Sequence, residues 1–536
     1  MKVSGRSYDE VYTSFRWDIP ARFNIADAIC DRHPPGATAL VFDGEDGQVA
    51  SLSFAALGER SRRLANALAA HGIAAGDRIG ILLPQCPETV VAHLAAYRMG
   101  AIALPLFTLF GPDAIEYRLN DSGAKAVISN EAGIAKLLSL GGALTATPLL
   151  VSIDDPLDGS VVRWQALLDR ASPDHALVET APDDPALIVY TSGTTGNPKG
   201  VLHAHRMLIG HLPGVELPHD FFPQPGDRMW TPADWAWAGG LMDVLLPSLF
   251  HGIPVLAKRL AKFDPEEAFA LLARHGVRNA FMPPTALKMM RGVANPARFG
   301  HCLRSVASGG ERLGGEMLDW GREAFGVTMN EFYGQTEANL TVSACASIME
   351  TPEGSMGRAV PGHVLEVLDE EGRPLPPGSI GTIGVRAPDP VFLLRYWNKP
   401  QATADKFMNG WLLTGDTGHR DEQGNFWFHA RNDDLIISGG YRIGPTEIED
   451  CLSQHPAVAM VAVVGVPDAV RGEVVKAFIV PRSAFEPCDA LRREVQDYVK
   501  ARLSGHEYPR QIEFRDSLPM TITGKIRRRD LRDEAS

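Results

Sequence analysis

In its first half the chain alternates between hydrophobic positions at helical spacing and short unbroken apolar runs. Leu57, Leu64 and Leu68 recur near the helical period within residues 54–72, which predicts an amphipathic helix. A turn at Gly76-Asp77 leads into the apolar run 78–83, and a second helix is predicted around 88–99. Short apolar runs that predict further strands lie at 101–106, 125–129, 186–190, 252–257, 277–282 and 304–307. Helices and strands that alternate over this length predict an α/β fold with largely parallel sheets.

The pattern changes in the last third of the chain. From about residue 357 to 428 the apolar runs shorten and prolines and glycines separate them, which predicts a small, mostly antiparallel β unit. After Arg431, helices are predicted at 448–452 and 491–503, with strands at 457–466 and 474–480. We therefore predict an N-terminal domain over 1–431, a connection at 432–434 and a separate α/β domain over 435–536.

Composition narrows the class of protein. The chain has 536 residues, 45% hydrophobic and 22% charged, so we expect a globular enzyme with more than one core. The formal net charge of −13 argues against a general nucleic-acid-binding protein. Six cysteines without CxxC spacing indicate neither a disulfide framework nor a zinc site. Neither a signal peptide nor an apolar run near the ~20 residues of a membrane helix is found, which predicts a cytoplasmic protein without a membrane span.

The segment Tyr190–Val201 follows a predicted strand and combines hydroxyl side chains, glycines and one lysine. Glycines let backbone N–H groups approach a ligand, and with the hydroxyls and Lys199 they suit a polyphosphate. A glycine-rich turn between two strands is the alternative. The segment is not a P-loop, because Asn197 and Pro198 separate Gly196 from the lysine. The candidate phosphate-binding residues are Thr191, Ser192, Gly193, Thr194, Thr195 and Lys199.

Further motifs follow at 308–312, 331–337, 411–416, 436–445 and 518–529. Together with the phosphate segment they resemble, in the same order, the signatures of the adenylate-forming superfamily. The chain is most similar to its AMP-forming acyl-CoA synthetases. This resemblance implies a large N-terminal domain of stacked α/β subdomains plus the small β unit, and a mobile C-terminal α/β domain. It also implies ATP, Mg²⁺ and coenzyme A as cofactors.

The resemblance implies roles for individual residues. Thr336 is expected to touch the α-phosphate and Glu337 to bind Mg²⁺, an ion that proteins hold through one or two carboxylates and the substrate phosphates. Asp416 and Arg431 are expected to bind the ribose, although a turn aspartate that caps backbone donors is the alternative for Asp416. Lys525 is expected to catalyse acyl-AMP formation. In the family the element that matches 308–312 lines the adenine pocket, so Gly310, Glu311 and Arg312 are expected to contact adenine, with a simple helix-entry turn as the alternative. The other candidate nucleotide-binding residues are Glu331, Phe332, Tyr333, Gly334, Gln335 and Arg442.

In this family two half-reactions alternate by rotation of the C-terminal domain. The hinge position corresponds to Asp433 in this sequence. Rotation is expected to withdraw Lys525 and to bring in the loop with Gly439 and Gly440, which would form the coenzyme A tunnel. In related synthetases the lysine that matches Lys525 is reversibly acetylated. A lysine acetyltransferase and a deacetylase are therefore expected partners.

The substrate is expected to be a small carboxylic acid. Acetyl-CoA synthetases have a bulky tryptophan immediately before the Gln-Thr-Glu triplet, whereas this chain has Gly334, as medium-chain synthetases do. A glycine there is expected to open the acyl pocket to medium-chain, branched or aromatic acids. Trp235 and Trp237 are candidate pocket walls, with ordinary aromatic core packing as the equal alternative.

Three other functions remain open from the sequence. An adenylation enzyme could load a separate carrier protein, since the eleven residues after Lys525 leave no room for a fused carrier domain. A luciferase-like oxygenase would use the same acyl-adenylate, and a nucleotide-binding regulator would need no turnover. His203 and His205 have a metal-like spacing and His455 matches a histidine near a metal in acetyl-CoA synthetases, but packing roles are favoured for them.

Overall fold

The chain forms two compact units. The computed structural model describes residues 3–155, 158–191, 197–260, 262–311, 313–431, 434–438, 441–468, 471–503, 508–521 and 525–535. The first unit comprises Met1–Val364 and Val385–Gly410, and the second comprises Leu365–Gly384 and Trp411–Ser536. Contacts thus group much of the predicted β unit with the C-terminal residues. The predicted connection at 432–434 lies largely outside the described residues and stays a prediction.

Helices and strands are numbered in chain order. The α-helices are α1 (Tyr8–Ser14), α2 (Phe54–Ala70), α3 (Pro87–Arg98), α4 (Pro112–Ser122), α5 (Glu131–Ser139), α6 (Trp164–Arg170), α7 (Met207–Glu216), α8 (Ala238–Gly240), α9 (Leu246–Phe250), α10 (Pro265–Arg274), α11 (Pro284–Met290), α12 (Gly315–Phe325), α13 (Pro400–Ala404), α14 (Pro445–Ser453), α15 (Asp489–Lys500) and α16 (Arg528–Ala535). Short π-helices lie at Asp27–Asp31 and Leu241–Leu245, and 3₁₀-helices at Gly141–Ala143 and Pro296–Phe299.

The strands are β1 (Thr38–Asp43), β2 (Val49–Ser53), β3 (Arg78–Leu82), β4 (Ile102–Pro105), β5 (Ala126–Ser129), β6 (Leu149–Ser152), β7 (Val162–Arg163), β8 (Pro185–Thr191), β9 (Lys199–Ala204), β10 (Met229–Trp230), β11 (Val255–Ala257), β12 (Asn279–Phe281), β13 (Ser305–Gly309), β14 (Met329–Gln335), β15 (Ala338–Ser343), β16 (Gly357–Ala359), β17 (Leu365–Leu368), β18 (Gly381–Arg386), β19 (Arg395–Tyr396), β20 (Phe407–Met408), β21 (Trp411–Arg420), β22 (Asn425–Arg431), β23 (Ile436–Ser438), β24 (Tyr441–Ile443), β25 (Val458–Asp468), β26 (Gly472–Pro481) and β27 (Gln511–Phe514).

Two sheets organise the first unit. One has the order β16-β15-β14-β13-β12-β10-β11-β1-β2. Within it, the neighbouring strands of the run β14-β13-β12-β10-β11-β1 pair parallel. Its outer pairs, β14–β15, β15–β16 and β1–β2, are antiparallel. The other sheet has the order β19-β9-β8-β4-β3-β5-β6-β7, parallel except at β8–β9 and β9–β19. The predicted α/β fold with largely parallel sheets is confirmed.

Burial follows from the sequence pattern. On α2, Leu57, Leu64 and Leu68 are buried, and the side chain of Ser53 caps the first turn by accepting from the N–H of Ala56. The central strand β3 is apolar and buried along nearly its whole length, as expected for a parallel strand covered by helices on both faces.

The second unit has its own core. A sheet of order β24-β23-β26-β25, with β27 parallel on β26, packs against α14 and α15. Leu491, Val495 and Val499 lie one helical turn apart on α15 and are buried, which confirms the predicted C-terminal helix. Before this sheet, β21 and β22 form an antiparallel hairpin that places Asp416 opposite Arg431.

Across the described part of the chain, every helix is too short or too polar to cross a lipid bilayer.

Candidate active site

Four candidate site residues of the first unit follow the carboxyl ends of strands. Gly310 and Glu311 follow β13, and Thr336 and Glu337 follow β14. Because β13 and β14 pair parallel, with Gly309 opposite Phe332, both segments leave the same edge of the sheet. Ligands of open α/β sheets bind at this edge, near the point where the strand order reverses.

The phosphate segment connects two antiparallel strands. Thr191 pairs with Lys199, and Tyr190 with Gly200, so the segment is a hairpin rather than the strand-to-helix turn of a P-loop. The hydroxyl of Tyr117 donates to the carbonyl of Pro198 at 3.0 Å and holds one arm of the hairpin. The predicted residues Ser192, Gly193, Thr194 and Thr195 lie outside the described residues.

A tyrosine connects the phosphate hairpin to the candidate metal ligand. Tyr396 in β19 pairs with Val201 of β9, and its hydroxyl donates to Oε1 of Glu337 at 2.5 Å. The Nζ atom of Lys199 lies 5.2 Å from the centre of the Tyr396 ring. Two predicted residues from different motifs, Lys199 and Glu337, therefore contact the same side chain.

The rest of the motif at 331–337 has mixed roles. Tyr333, Gln335 and Thr336 are half-buried, and Oε1 of Gln335 accepts from Nζ of Lys406 at 3.0 Å. Glu331 is buried, and its Oε1 accepts from the backbone N–H of Leu313 at 3.0 Å. Glu331, which was predicted to bind nucleotide, thus supports the backbone directly after the predicted adenine segment.

Phe332 and two glycines shape the predicted adenine segment. A Cβ atom at Gly309 would lie 2.4 Å from the Phe332 ring, so only glycine fits beneath this aromatic side chain. Gly310 has φ of 93°, a conformation that favours glycine. Glu311 is half-buried, while Arg312 lies outside the described residues.

Gly334 lies where β14 and β15 come closest. A Cβ atom at this position would be 2.2 Å from the backbone N of Leu340 and 2.8 Å from Cα of Asn339. The pairing register shifts between Tyr333 and Gln335 at the same place. The backbone therefore requires a glycine here, a reason that the sequence argument did not contain. A role in opening the acyl pocket stays a prediction.

The two candidate tryptophans differ in environment. Trp235 is fully buried in the main hydrophobic core, which matches the core alternative. Trp237 is only half-buried, and its ring lies 5.7 Å from that of Phe281, which in turn lies 5.3 Å from Phe332. Trp237 thus belongs to an aromatic row that ends at the nucleotide motif.

A buried polar pair lies behind Gly334. The side chain of Asn339 donates to Oδ1 of Asp243 at 2.5 Å, and both residues are buried. Burial raises the pKa of Asp243 to about 8, although the hydrogen bond from Asn339 opposes this shift. The Asp243 carboxyl is therefore largely protonated at neutral pH.

In the second unit, the two predicted ribose ligands are neighbours. Asp416 is buried, Arg431 is exposed, and Nε of Arg431 lies 3.7 Å from Oδ1 of Asp416. The backbone N–H of Asp416 donates to Oγ1 of Thr414 at 3.1 Å. Thr414 thus fixes the main chain of Asp416, and Arg431 lies beside its carboxylate. A carboxylate placed in this way can accept hydrogen bonds from the two hydroxyls of a diol.

Lys525 is held by hydrogen bonds to Thr521 in the second unit. Its backbone N–H donates to Oγ1 of Thr521, and the backbone N–H of Thr521 donates to its carbonyl. The side chain is half-buried. Arg442 belongs to β24, opposite Ile437. The structure describes its main chain only. The predicted hinge Asp433 and tunnel residues Gly439 and Gly440 also lie outside the described residues.

The histidines have packing roles. His203 is fully buried, and burial lowers its pKa to about 3. Burial likewise lowers the pKa of His205 to about 4, and its Nδ1 accepts from the backbone N–H of Ile25. His455 is buried within 3.5 Å of Glu494. In the described ranges no group of three His, Cys, Asp or Glu side chains could hold a metal ion by itself.

The site nevertheless fits Mg²⁺ as a nucleotide-bound ion. Mg²⁺ is usually held by one or two carboxylates together with substrate phosphates, and a complete cage of protein ligands is not needed. Glu337 offers one half-buried carboxylate beside the phosphate hairpin. Sequence reasoning had identified Glu337 and Lys199 but missed Tyr396. A tyrosine that the fold buries needs a hydroxyl partner, but the sequence does not say which one.

Known proteins resemble this chain in sequence and fold. A family model described as AMP-binding enzyme matches residues 27–397, and one described as AMP-binding enzyme C-terminal domain matches residues 447–525. Acetyl-coenzyme A synthetase of Bacillus subtilis is 33% identical over 98% of this chain and 95% of its own length. The mitochondrial acyl-coenzyme A synthetase ACSM4 of Homo sapiens is 36% identical, over 96% of this chain and 91% of its own.

A solved structure agrees with these relatives. The anthranilate CoA ligase AuaEII, crystallised in complex with anthranoyl-AMP, superposes with a TM-score of 0.86 at 28% identity. The superposition covers 97% of this chain and 98% of that chain. The chain therefore belongs to the AMP-binding enzyme family, as an acyl-CoA synthetase of the adenylate-forming superfamily.

Proposed function

We propose that the protein activates a medium-chain, branched or aromatic carboxylic acid with ATP and transfers the acyl group to coenzyme A. The observation that carries this proposal is the contact of Lys199 and Glu337 with the single side chain of Tyr396. It brings a cation on the phosphate hairpin and a carboxylate from a separate motif to one place. A polyphosphate with its Mg²⁺ ion needs this combination of charges.

In the first half-reaction, a carboxylate oxygen of the acid attacks the α-phosphorus of ATP. The new P–O bond gives acyl-AMP, and the bond to pyrophosphate breaks. Glu337 would hold Mg²⁺, which when bound would neutralise the negative charge that builds up on the leaving pyrophosphate. Lys199 and the hydroxyl of Thr336 would stabilise the phosphates from this chain, while Asp416 and Arg431 would fix the ribose. Catalysis by positioning and charge stabilisation needs no protein nucleophile.

In the second half-reaction, the thiol sulfur of coenzyme A attacks the carbonyl carbon of acyl-AMP. A C–S bond forms, the S–H proton passes to solvent, the C–O bond to phosphate breaks, and AMP leaves with the bonding electron pair. Lys525 would act only in the first step, and the loop with Gly439, Gly440 and Arg442 would line the path of coenzyme A in the second. Rotation about Asp433 and acetylation of Lys525 remain predictions from the family resemblance.

The relatives are named for different acids, and acetate is among them. ACSM4 is named an acyl-coenzyme A synthetase, and AuaEII is named an anthranilate CoA ligase. The row formed by Trp237, Phe281 and Phe332 would suit a planar or branched acyl group. Neighbouring apolar chains differ by only about 1–3 kcal/mol per methylene, so we expect several acids to be used.

ATP–pyrophosphate exchange tests this proposal. Acids from acetate to decanoate, together with isobutyrate and benzoate, are compared with and without coenzyme A. We expect strongest exchange with medium-chain, branched or aromatic acids, and acyl-CoA when coenzyme A is present. Glu337→Gln serves as the control for the site, because it keeps the shape of the side chain and removes its charge.

Other results of the exchange assay would contradict part or all of this proposal. Exchange without acyl-CoA formation would favour an enzyme that loads a carrier protein. Preference for acetate would contradict the proposed acid class but keep the reaction. Absence of exchange with every acid would contradict the proposed function.

A further inference from the structure

Tyr396 is fixed in place by strand pairing and by a hydrogen bond to a threonine side chain. Its strand β19 pairs antiparallel with β9, and its own N–H donates to Oγ1 of Thr403 at 2.9 Å. The residue is only 3% exposed. A buried tyrosine held in this way can determine the position of groups that contact its ring or hydroxyl.

The hydroxyl of Tyr396 determines where the Glu337 carboxylate lies. Donation to Oε1 at 2.5 Å is a short, charge-assisted hydrogen bond when the carboxylate is ionised. The backbone carbonyl of Glu337 also accepts from the N–H of Leu393 at 3.0 Å. The segment that carries Tyr396 therefore holds Glu337 by both its main chain and its side chain.

The ring of Tyr396 lies between two opposite charges. Nζ of Lys199 is 5.2 Å from the ring centre, within the range of a cation–π contact. Both charged side chains are among the described residues, and their contacts run to Tyr396 rather than to each other. A direct pair would neutralise the two charges that a magnesium–nucleotide complex requires.

We propose that Tyr396 is a positioning residue for the magnesium–nucleotide complex. It aims the Glu337 carboxylate at the metal through its hydroxyl and keeps the Lys199 ammonium apart, over its ring, for the phosphates. This inference rests on the proposed function, because it assumes that Glu337 and Lys199 serve a bound nucleotide. It adds a residue outside the motifs that the sequence identified.

Two substitutions separate the roles of hydroxyl and ring. Tyr396→Phe keeps the ring and removes the donor, so we expect the Mg²⁺ concentration for half-maximal exchange to rise roughly 10-fold or more. ATP affinity without Mg²⁺, measured by calorimetry in EDTA, should stay unchanged. Tyr396→Leu also removes the ring, so ATP should then bind more weakly even without Mg²⁺.

Tyr8→Phe is the matched control. The hydroxyl of Tyr8 donates to the carbonyl of Ala359 at 2.8 Å and its ring carries the cation of Arg358, but it contacts neither the phosphate hairpin nor Glu337. The half-maximal Mg²⁺ concentration should equal that of the unaltered protein. The thermal midpoint of each variant is measured in parallel, so that loss of folding is distinguished from loss of metal binding.

A double-mutant cycle keeps the inference testable if one variant is less stable. Calorimetry of ATP with Mg²⁺ compares Tyr396→Phe, Glu337→Gln and the double variant. If Tyr396 acts through Glu337, Tyr396→Phe should have no further effect once Glu337 has been replaced. Additive losses, or an unchanged Mg²⁺ dependence in Tyr396→Phe, would overturn the inference.

The two proposals fail differently. If the unaltered protein shows no exchange with any acid, the proposed function fails, while calorimetry still decides whether Tyr396 affects Mg²⁺-dependent ATP binding. If exchange is normal and Tyr396→Phe behaves like Tyr8→Phe, only the inference about Tyr396 fails.

Discussion

At Gly334 and Tyr396, the absence or presence of a single atom determines which neighbouring groups can come into contact. At Gly334 the absence of a Cβ allows the backbone of Leu340 to approach. At Tyr396 one hydroxyl selects one carboxylate oxygen of Glu337. Both effects depend on distances between residues whose relative position the fold sets. The sequence comparison predicts that Gly334 opens the acyl pocket, but the packing of β14 against β15 also requires a glycine at this position.

Gly334→Ala tests this packing at the residue scale. The new Cβ would have to displace backbone, since its neighbours at 2.2 and 2.8 Å are main-chain atoms of Leu340 and Asn339. We expect a loss of about 1–3 kcal/mol in stability and lower exchange with all acids alike. Thermal unfolding and the acid panel measure both effects. Gly36→Ala is the control, because no atom lies within 4 Å of its Cβ position.

The contrary result would restore the purely functional explanation of Gly334. A normal thermal midpoint combined with selective loss of the longer acids would mean that the added methyl group enters the acyl pocket.

At the scale of elements, charged side chains fasten strands and helices that the hydrophobic pattern only outlines. The end of β1 is held by Asp43, which contacts Nζ of Lys258 at 2.7 Å and Nε2 of His275 at 2.7 Å. In the second unit, Glu449 of α14 contacts Arg528 of α16 at 2.6 Å and accepts from the N–H of Val463 at 2.8 Å. Neither cluster follows from periodicity.

The Asp43 cluster predicts a pH effect. Burial favours the neutral acid, but hydrogen bonds from Lys258 and His275 outweigh it and lower the pKa of Asp43. Its contribution to stability is therefore present above the unfolded pKa, near about 4, and lost as pH falls through the lowered folded pKa. We expect Asp43→Asn to cost about 1–3 kcal/mol at pH 7 and less in acid. Thermal midpoints from pH 3 to 7 measure this difference.

Asp18→Asn is the control for the pH series, because Asp18 is exposed. It should shift the midpoint little at any pH. A constant loss for Asp43→Asn across the series would show that the charge of Asp43 does not contribute.

Replacing Arg528 should weaken the second unit. Burial raises the pKa of Glu449, while Arg528 opposes this shift, so Arg528→Leu leaves the buried carboxyl group without its paired cation. Because the Arg528 side chain is 26% exposed, we expect a cost of about 2 kcal/mol, below that of a fully buried pair. Faster hydrogen exchange at the Val463 amide would report this loss of stability. Arg529→Leu, which removes an exposed contact to Asp533, should cost less than about 0.5 kcal/mol.

Equal exchange rates at Val463 in the two arginine variants would contradict a structural role for the Glu449 pair.

At the scale of the whole molecule, function is expected to divide between the two units. Lys199, Thr336 and Glu337 belong to the first, whereas Asp416 and Lys525 belong to the second. The predicted catalytic lysine belongs to the second unit, which suits an enzyme expected to need this lysine for one half-reaction only.

Lys525→Ala tests this division. We expect acyl-AMP formation to fall by roughly 10²–10³ or more, as when one transition-state donor is lost. Thioester formation from supplied acyl-AMP should stay near normal. Single-turnover assays of each half-reaction measure the two rates, and Arg527→Ala, an exposed neighbouring cation, is the control. An equal fall in both half-reactions would contradict the alternation of the units.

The amino-acid sequence by itself determined the α/β class, a minority of the helices and strands, and the residue types of the candidate site. Helical spacing on α2 and α15 and the apolar runs of β3 and β8 are local properties, so they can be read along the chain. The motif residues Lys199, Glu337, Asp416 and Lys525 were identified by resemblance, because their chemical types recur at fixed places in the family.

Only the tertiary structure decided which of these residues meet. The contact of Tyr396 with Lys199 and Glu337 joins positions that are far apart in sequence, and strand pairing of β9 with β19 creates it. The core position of Trp235 and the close approach at Gly334 likewise follow from packing. Local patterns encode secondary structure through the backbone period, whereas a site depends on long-range distances that are fixed when the sheets assemble.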